Sequence, residues 1–362
     1  MIHSRFFNSR FFLIVIIFFG GQTFAQPTGK FADSIRIQYR IPALGYAVVT
    51  SNSIIEIQVA GISKINTSHA ASLDNKFRIG SNTKAITSFV AALLVKEKRI
   101  TWNTKFFDLF PELKATSHAA YHKLTLLNLL SFRTQLYPYT YTDSLPLKEE
   151  IQGNEQEQQL QFTSWFLKQN PVRKSGDVHF SNVGYAAAAL MLEKASGKSY
   201  KQLLEELGKQ LDISFGFGNP NQNDSLQTWG HNRDLIPDNA QNDYKLNWLI
   251  AAGNINLTLP DYCKFIQLQL QGLAGKSTLL SKQEFEFLHY GLKRFALGWF
   301  WEKDERNQHI SYNIGNPGTF LSSVFVFKES DKAIIVFSNA QTNEAEQGIQ
   351  VLIEKLKQQY IP

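Results

Sequence analysis

The sequence predicts an α+β fold, in which an antiparallel sheet flanked by helices is built from both chain ends and a mostly helical subdomain is inserted between them. Runs of β-branched and aromatic residues typical of strands lie near both ends, within 43–63 and 295–340. Between about 116 and 249, strand patterns are scarce and helical runs alternate with polar loops. We therefore expect a sheet subdomain formed by about 26–115 and 250–362, and a helical subdomain at about 116–249.

The elements of the predicted sheet follow from local patterns. A short helix is expected in KFADSIRIQYRI, and a hairpin follows around Ser51-Asn52-Ser53. At the other end, SSVFVF and AIIVFSNA predict a second hairpin around 329–332, before a closing helix in NEAEQGIQVLIEKLKQQY. No internal repeat or long Pro/Gly/Ser linker separates independent domains, so both ends are expected to join one sheet.

The first 25 residues are predicted to be a secretory signal peptide. They carry two arginines and no acidic residue, and their apolar block at 11–19 is too short to span a bilayer. Thr23 and Ala25 are small enough for cleavage after Ala25, so the mature chain is expected to start at Gln26. The protein is therefore expected to be secreted or periplasmic.

Composition limits the partners of the mature chain. Without the two arginines of the signal, 35 basic residues face 31 acidic ones, and no run of five like charges occurs, which is too mild a bias to indicate nucleic acid. No later segment approaches the ~20 apolar residues that a membrane span needs. Cys263 is the only cysteine, so the core must stabilise the fold without disulfides. We expect a monomer that binds a small molecule or peptide.

Ser81 and Lys84 precede a long apolar run in FRIGSNTKAI, at the start of a helix predicted from Thr83. Ser is a common N-cap residue, and Lys84 would then be a solvated side chain. Alternatively, the i, i+3 spacing puts both side chains on one face, where the helix N-terminus offers N–H groups and positive potential to a serine alkoxide. In that case burial must lower the pKa of Lys84 until the amine can accept a proton.

The stretch FRIGSNTKAITSFVAALLVKEKRI, with the only Ser-x-x-Lys of the chain, resembles the first motif of the serine β-lactamase-related family. This family includes class C β-lactamases, penicillin-binding proteins, DD-peptidases and esterase-like hydrolases. Further segments match it in order: TLLNLLSFRTQL, FSNVGYAAAALMLEKASGKSY, AAGNINLTLPDYCKFIQLQLQGL, FALGWF, YNIGNPGTFLSSVFVF and AIIVFSNA. The resemblance implies a β-lactamase/transpeptidase-like fold, with Ser81 as nucleophile and Lys84 as its base.

Two motifs depart from the family pattern. The second motif, Tyr-x-Asn in the family, is here Phe180-Ser181-Asn182, so the phenol is missing. The third motif, Lys-Thr-Gly or His-x-Gly in the family, is here Asn313-Ile314-Gly315, so the basic residue is missing. A register with Tyr312 in the basic position puts Ile314 where the family keeps glycine and is not preferred.

The resemblance also implies an oxyanion hole formed by the backbone N–H groups of Ser81 and Asn316. We hypothesise that Lys84 acts alone as the base, while Asn182 and Asn313 orient the substrate or the lysine by hydrogen bonds. Two sets of residues could supply a replacement proton acceptor, although loop packing or a structural role explains each more simply. They are the phenols of Tyr137, Tyr139 and Tyr141, and the imidazoles of His179 and His231.

The expected function is that of an exported serine hydrolase that forms an acyl-enzyme on an amide, ester or β-lactam. The alternative is a catalytically impaired pseudoenzyme that binds peptide or cell-wall fragments, because Phe180 and Asn313 replace the phenol and the cation. The sequence contains no HExxH, no paired cysteines and no glycine-rich phosphate loop, so no cofactor and no metal are predicted.

Overall fold

The computed structural model describes residues 28–172, 178–239 and 244–361. The predicted signal peptide lies outside the described residues. The helices are α1 (Thr28–Gln38), α2 (Thr83–Lys96), α3 (Phe106–Leu109), α4 (Leu126–Leu130), α5 (Glu155–Leu167), α6 (Asn182–Ser196), α7 (Tyr200–Leu211), α8 (Tyr244–Trp248), α9 (Ile250–Gly253), α10 (Leu259–Leu273), α11 (Lys282–Tyr290) and α12 (Asn343–Tyr360). The strands are β1 (Ala43–Val49), β2 (Ile54–Gly61), β3 (Lys76–Arg78), β4 (Gly216–Phe217), β5 (Ile255–Thr258), β6 (Phe300–Lys303), β7 (His309–Gly315), β8 (Leu321–Phe327) and β9 (Lys332–Ser338).

The main sheet has six strands in the order β2-β1-β9-β8-β7-β6, and every neighbouring pair is antiparallel. β1 pairs with β9, with Leu44 opposite Ser338, so the two chain ends meet in the middle of the sheet. Both predicted hairpins are present, as β1-β2 and β8-β9. The predicted antiparallel sheet from both chain ends is therefore confirmed.

Helices cover both faces of this sheet, because its central strands are apolar on both sides. All seven residues of β1 are buried. Tyr46 and Val48 pack with the cluster that includes α1 and α12, whereas Ala47 and Val49 belong to the larger core on the other face. A strand buried on both faces is expected to be continuously hydrophobic, as ALGYAVV is.

The helix that follows Ser81, α2, runs through the interior of the larger core. Eleven of its fourteen residues are buried, so it has no polar face turned to water. It contacts α6, α7, α9 and α11. Buried alanines are frequent on both α2 and α6, among them Ala91 on α2 and Ala186–Ala189 on α6.

A second sheet, in the order β3-β5-β4, was not predicted. Its strands are only three, four and two residues long, too short for a periodic pattern to stand out. β3 ends two residues before Gly80, so this small sheet leads the chain into the Ser81 turn. The division into subdomains at about 116 and 249 stays a prediction. In the described ranges, no helix combines the length and the apolar character needed to cross a membrane.

Candidate active site

Ser81 lies in a single 3-10 turn, Gly80–Asn82, immediately before α2. The N-cap residue of α2 is Asn82, whose side chain makes no capping bond. The interpretation of Ser81 as the N-cap is therefore wrong. Instead, Asn82 Nδ2 donates to Ser322 Oγ at 2.9 Å, and Ser322 Oγ donates to Ile79 O at 2.7 Å. These two bonds hold the turn against β8 while leaving the half-buried Ser81 hydroxyl free for Lys84.

Lys84 is buried and contacts the Ser81 hydroxyl directly. Only 1% of its surface is exposed, and its Nζ donates to Ser81 Oγ at 2.9 Å and to Ala252 O at 2.7 Å. Thr87, one turn further along α2, donates from Oγ1 to Ala251 O at 2.7 Å, which fixes α9 in place as the acceptor. The interpretation of Lys84 as a solvated side chain is therefore wrong.

Two aromatic rings flank the Lys84 amine, and burial favours its neutral form. Its Nζ lies 5.2 Å from the centre of the Phe180 ring and 5.5 Å from that of Tyr185. Burial lowers the pKa of Lys84 from its ordinary value of 10.5 to about 7, because a charged ammonium loses its hydration there. Near neutral pH, part of the population therefore has a neutral amine that can accept a proton.

The second motif borders this dyad at the start of α6. Phe180 is 39% exposed and packs against Phe132, with ring centres 4.9 Å apart. Asn182 N donates to Tyr139 O, and the Asn182 Oδ1 atom is buried without a partner. Among the described residues, no hydrogen bond joins the Asn182 carboxamide to Ser81 or Lys84. The expected orientation of the lysine by Asn182 is therefore not observed in this state.

The third motif lies on β7, where Asn313 and not Tyr312 reaches the Ser81 turn. Asn313 Nδ2 donates to Ser81 O at 3.2 Å and to Gly298 O at 2.6 Å. Tyr312 faces the other side of the sheet, with its ring stacked on Phe325. The N–H groups of Asn313 thus bind main-chain carbonyls of the Ser81 turn and of the loop before β6, and the orientation of a substrate by Asn313 stays a prediction.

Gly315 and Gly80 bring β7 and the Ser81 turn together. A Cβ at Gly315 would come within 2.0 Å of Ile79 O, so only glycine permits this approach. Gly80 has φ +49°, and a Cβ there would lie 2.8 Å from Asn316 N. The backbone nitrogen of Asn316 therefore lies beside Gly80, next to Ser81 in sequence, and the oxyanion hole of Ser81 and Asn316 stays a prediction.

We call the side of Ser81 that β7 and the start of α6 border the cleft, and the three phenols differ in their position relative to it. Tyr139 is buried with its ring against Phe162 and Phe166, so it cannot serve as a cleft acceptor. Tyr137 is half-exposed. Tyr141 reaches the loop after β7, where its hydroxyl donates to Asn316 Oδ1 at 3.5 Å. Tyr141 is the phenol that the structure brings to the cleft.

The two histidines differ in a similar way. His231 is fully buried, with Nδ1 at 2.7 Å from Asn339 O and Nε2 accepting from Ile65 N, so its role is structural. Burial lowers its pKa. His179 donates its backbone N–H to Phe132 O and precedes the second motif. In the described part of the chain, no group of three or more His, Cys, Asp or Glu side chains is arranged to hold a metal ion.

A sequence model of the Beta-lactamase family matches residues 22–356. The chain belongs to this family. Protein Flp of Staphylococcus aureus (strain N315) is 22% identical over 330 residues, which cover 89% of this chain and 63% of Flp. The chain thus spans less than two thirds of the length of this curated relative.

Solved structures confirm the family fold. The beta-lactamase/D-alanine carboxypeptidase of Pseudomonas syringae is 15% identical and superposes with a TM-score of 0.73, covering 90% of this chain and 97% of its own. The class C beta-lactamase of Rhodobacter sphaeroides is 16% identical and has a TM-score of 0.73, covering 91% of this chain and 99% of its own. At these identities the likeness establishes the β-lactamase/transpeptidase-like fold and not a shared substrate.

Proposed function

We propose that the protein is an exported serine hydrolase that forms an acyl-enzyme on Ser81, with Lys84 as general base, from an amide, ester or β-lactam. The observation that carries the proposal is the contact between Lys84 Nζ and Ser81 Oγ at 2.9 Å, made by a lysine whose pKa is lowered to about 7 by burial. An amine of pKa about 7 has the proton affinity that a general base needs at neutral pH.

The reaction begins when neutral Lys84 takes the Ser81 proton and Oγ forms a bond to the acyl carbon. The N–H groups of Ser81 and Asn316 hold the resulting oxyanion. The bond to the leaving group then breaks, and the Lys84 ammonium returns a proton to the departing atom. A water molecule, deprotonated by the same amine, attacks the ester carbonyl and releases the acid from Ser81.

Export and a monomeric state are parts of this proposal. Residues 1–25 support export, because they combine a basic start, a short apolar block and a small-residue cleavage site at Ala25. A monomer suffices, since every group invoked in the reaction belongs to one chain.

Phe180 and Asn313 favour a second candidate, a pseudoenzyme that binds peptide or cell-wall fragments without turnover. Phe180 places an apolar ring near Lys84 where the family has a phenol. Asn313 donates to two main-chain carbonyls where the family has a cation. Neither residue can move a proton.

A fluorophosphonate probe separates the two candidates, because it labels only a serine that can attack. We expect labelling of the full chain that disappears in Ser81→Ala and persists in Ser53→Ala, which removes an exposed hydroxyl of the β1-β2 hairpin. Labelling should also fall in Lys84→Met. Absence of labelling in the wild type at any dose would reject the hydrolase and favour the binding protein.

A further inference from the structure

The stretch of β7 beside Ser81 presents no charge to a substrate. β6 pairs with β7 only as far as Tyr312, so no strand in the described ranges pairs with this edge at 313–315, and the Ser81 turn lies against this stretch. The side chain of Ile314, in the middle of it, is 53% exposed. A substrate that extends along this edge therefore meets an apolar side chain and free main-chain groups.

Asn313 offers a substrate no positive charge. Its amide nitrogen already donates to Ser81 O and Gly298 O. Its Oδ1 is buried, in a side chain that is 1% exposed, and has no hydrogen-bond partner among the described residues. A substrate carboxylate at this position therefore finds no cationic partner on Asn313.

Lys84 cannot supply the missing positive charge without losing its role. It acts as a base only in the neutral form, and a carboxylate within ~4–6 Å would raise its pKa and keep the proton on the amine. Phe180 cannot compensate, since its ring is apolar and partly exposed beside the amine. Lys245, a cation near the loop that carries Tyr141, donates to the main-chain carbonyls of Tyr141 and Asp143.

We propose that the cleft accepts acyl compounds that are neutral beside the scissile bond and rejects those that carry a carboxylate there, with Asn313 and Ile314 as the residues that determine this specificity. The inference rests on the proposed acyl-enzyme function and narrows its substrates to neutral esters and amides. Penicillins, which carry a carboxylate beside the lactam ring, are then poor substrates.

Two thioesters test this selectivity: the benzoyl thioesters of thioglycolate and of thioglycolamide. They share the acyl group and differ in a carboxylate or a carboxamide next to the leaving sulfur, and thiol release reports both. After division by the rates without enzyme, we expect kcat/KM of the wild type to be at least about tenfold higher for the carboxamide. A ratio near one, or a preference for the carboxylate, overturns the inference while turnover itself upholds the hydrolase.

A charge added at the exposed Ile314 should reduce the selectivity. Ile314→Lys is expected to reduce the ratio of kcat/KM for the carboxamide to kcat/KM for the carboxylate at least about fivefold, because kcat/KM for the carboxylate thioester rises. Ile37→Lys is the matched control, because Ile37 is 62% exposed on α1, which packs with α12 on the other face of the sheet, and its variant should keep the wild-type ratio. An equal change in both variants contradicts a role for Ile314. Failure of the wild type to turn over either thioester, together with no fluorophosphonate labelling, overturns the proposed function and the inference with it.

Discussion

The two sides of the cleft differ in how many of the family's motif residues they retain. We call them the α2 wall and the neutral wall, the latter formed by β7 and the start of α6. On the α2 wall, Ser81 and Lys84 are both present and in contact, and the aromatic rings of Phe180 and Tyr185 flank the Lys84 amine. On the opposite side, β7 and the start of α6 present Asn313 and Phe180 in place of a cation and a phenol. In the proposed reaction, proton transfer is therefore concentrated on one helix, whereas the facing wall is neutral.

This difference has a physical basis in how each wall controls charge. Burial alone lowers the pKa of Lys84, so the dyad does not depend on a second cation to release its proton. The β7 wall contributes geometry, because Asn313 binds Ser81 O and Gly298 O and so fixes the turn that carries the nucleophile. Substitutions on the two walls should consequently have different effects.

The largest effect is expected from Lys84→Met, which removes the base and keeps a long apolar stem. We predict a ~10²- to 10⁴-fold loss of kcat/KM on a neutral chromogenic ester. In the wild type, kcat/KM should fall as the pH drops through about 7, because Lys84 then becomes protonated. An unchanged rate in the variant would show that another group is the base.

Stability against pH checks the burial of Lys84 independently of activity. Its folded pKa of about 7 lies below the ordinary 10.5, so the unfolded chain binds more protons between these values. The difference in unfolding free energy between the wild type and Lys84→Met should therefore increase as the pH rises across this window. The variant should be most stable relative to the wild type at or below pH 7. Parallel denaturation curves at pH 6.5 and 9.5 measure the difference, and equal differences at the two pH values would contradict a buried, neutral Lys84.

The second-largest effect is expected from Asn313→Ala on the neutral wall. The variant leaves Ser81 O and Gly298 O without this donor, which costs about 1–3 kcal/mol of unfolding free energy. Displacement of the nucleophile turn should also lower kcat by up to ~10²-fold. Ser311→Ala is the matched control, because Ser311 is buried on the same strand and binds His289, not Ser81. If both variants lose kcat equally, Asn313 acts only through stability.

The sequence predicts the α2 wall well because its interactions are local. Ser81 and Lys84 are three residues apart, and a helix fixes their relative position. The continuous apolar run after Lys84 predicts a buried helix, and burial in turn predicts the lowered pKa. The two hairpins are predicted for the same reason, since each needs only a turn between two strand-like runs.

The neutral wall could be predicted only by resemblance, and the bonds of Asn313 to main-chain carbonyls were not among the predictions. The Asn313 amide donates to Ser81 O, although the two residues are 232 positions apart in the sequence. Every residue type has a main-chain carbonyl, so the sequence does not indicate which carbonyls, such as Ser81 O and Ala252 O, will accept a side-chain hydrogen bond. The small second sheet was missed because its strands are four residues or shorter. Tyr141 could not be separated from Tyr137 and Tyr139, since neither spacing nor composition distinguishes loop residues that approach the cleft from those that pack away from it.

A smaller effect is expected from Phe180→Tyr, which makes the neutral wall more like the family motif. The ring is 39% exposed, so a hydroxyl can be added with little cost in stability. We predict a gain in kcat/KM of about tenfold or less, because Lys84 already acts as base. Phe180→Leu, which adds no hydroxyl, should show no gain. A gain of several hundredfold in Phe180→Tyr would show that the dyad is not sufficient alone and would favour the impaired pseudoenzyme.

The smallest effect is expected from Tyr141→Phe, which tests whether the phenol at the cleft replaces the missing one. Its hydroxyl donates to Asn316 Oδ1 over a long 3.5 Å, and the same oxygen also accepts from Gly318 N at 3.0 Å. Loss of one weak bond should change kcat/KM by less than about fivefold. A substitute general base would instead cost ~10²-fold or more. Tyr137→Phe is the control, because it removes a half-exposed hydroxyl from the same loop. A loss of kcat/KM in Tyr141→Phe well beyond that of the control would indicate that Tyr141, and not Lys84 on α2, is the general base.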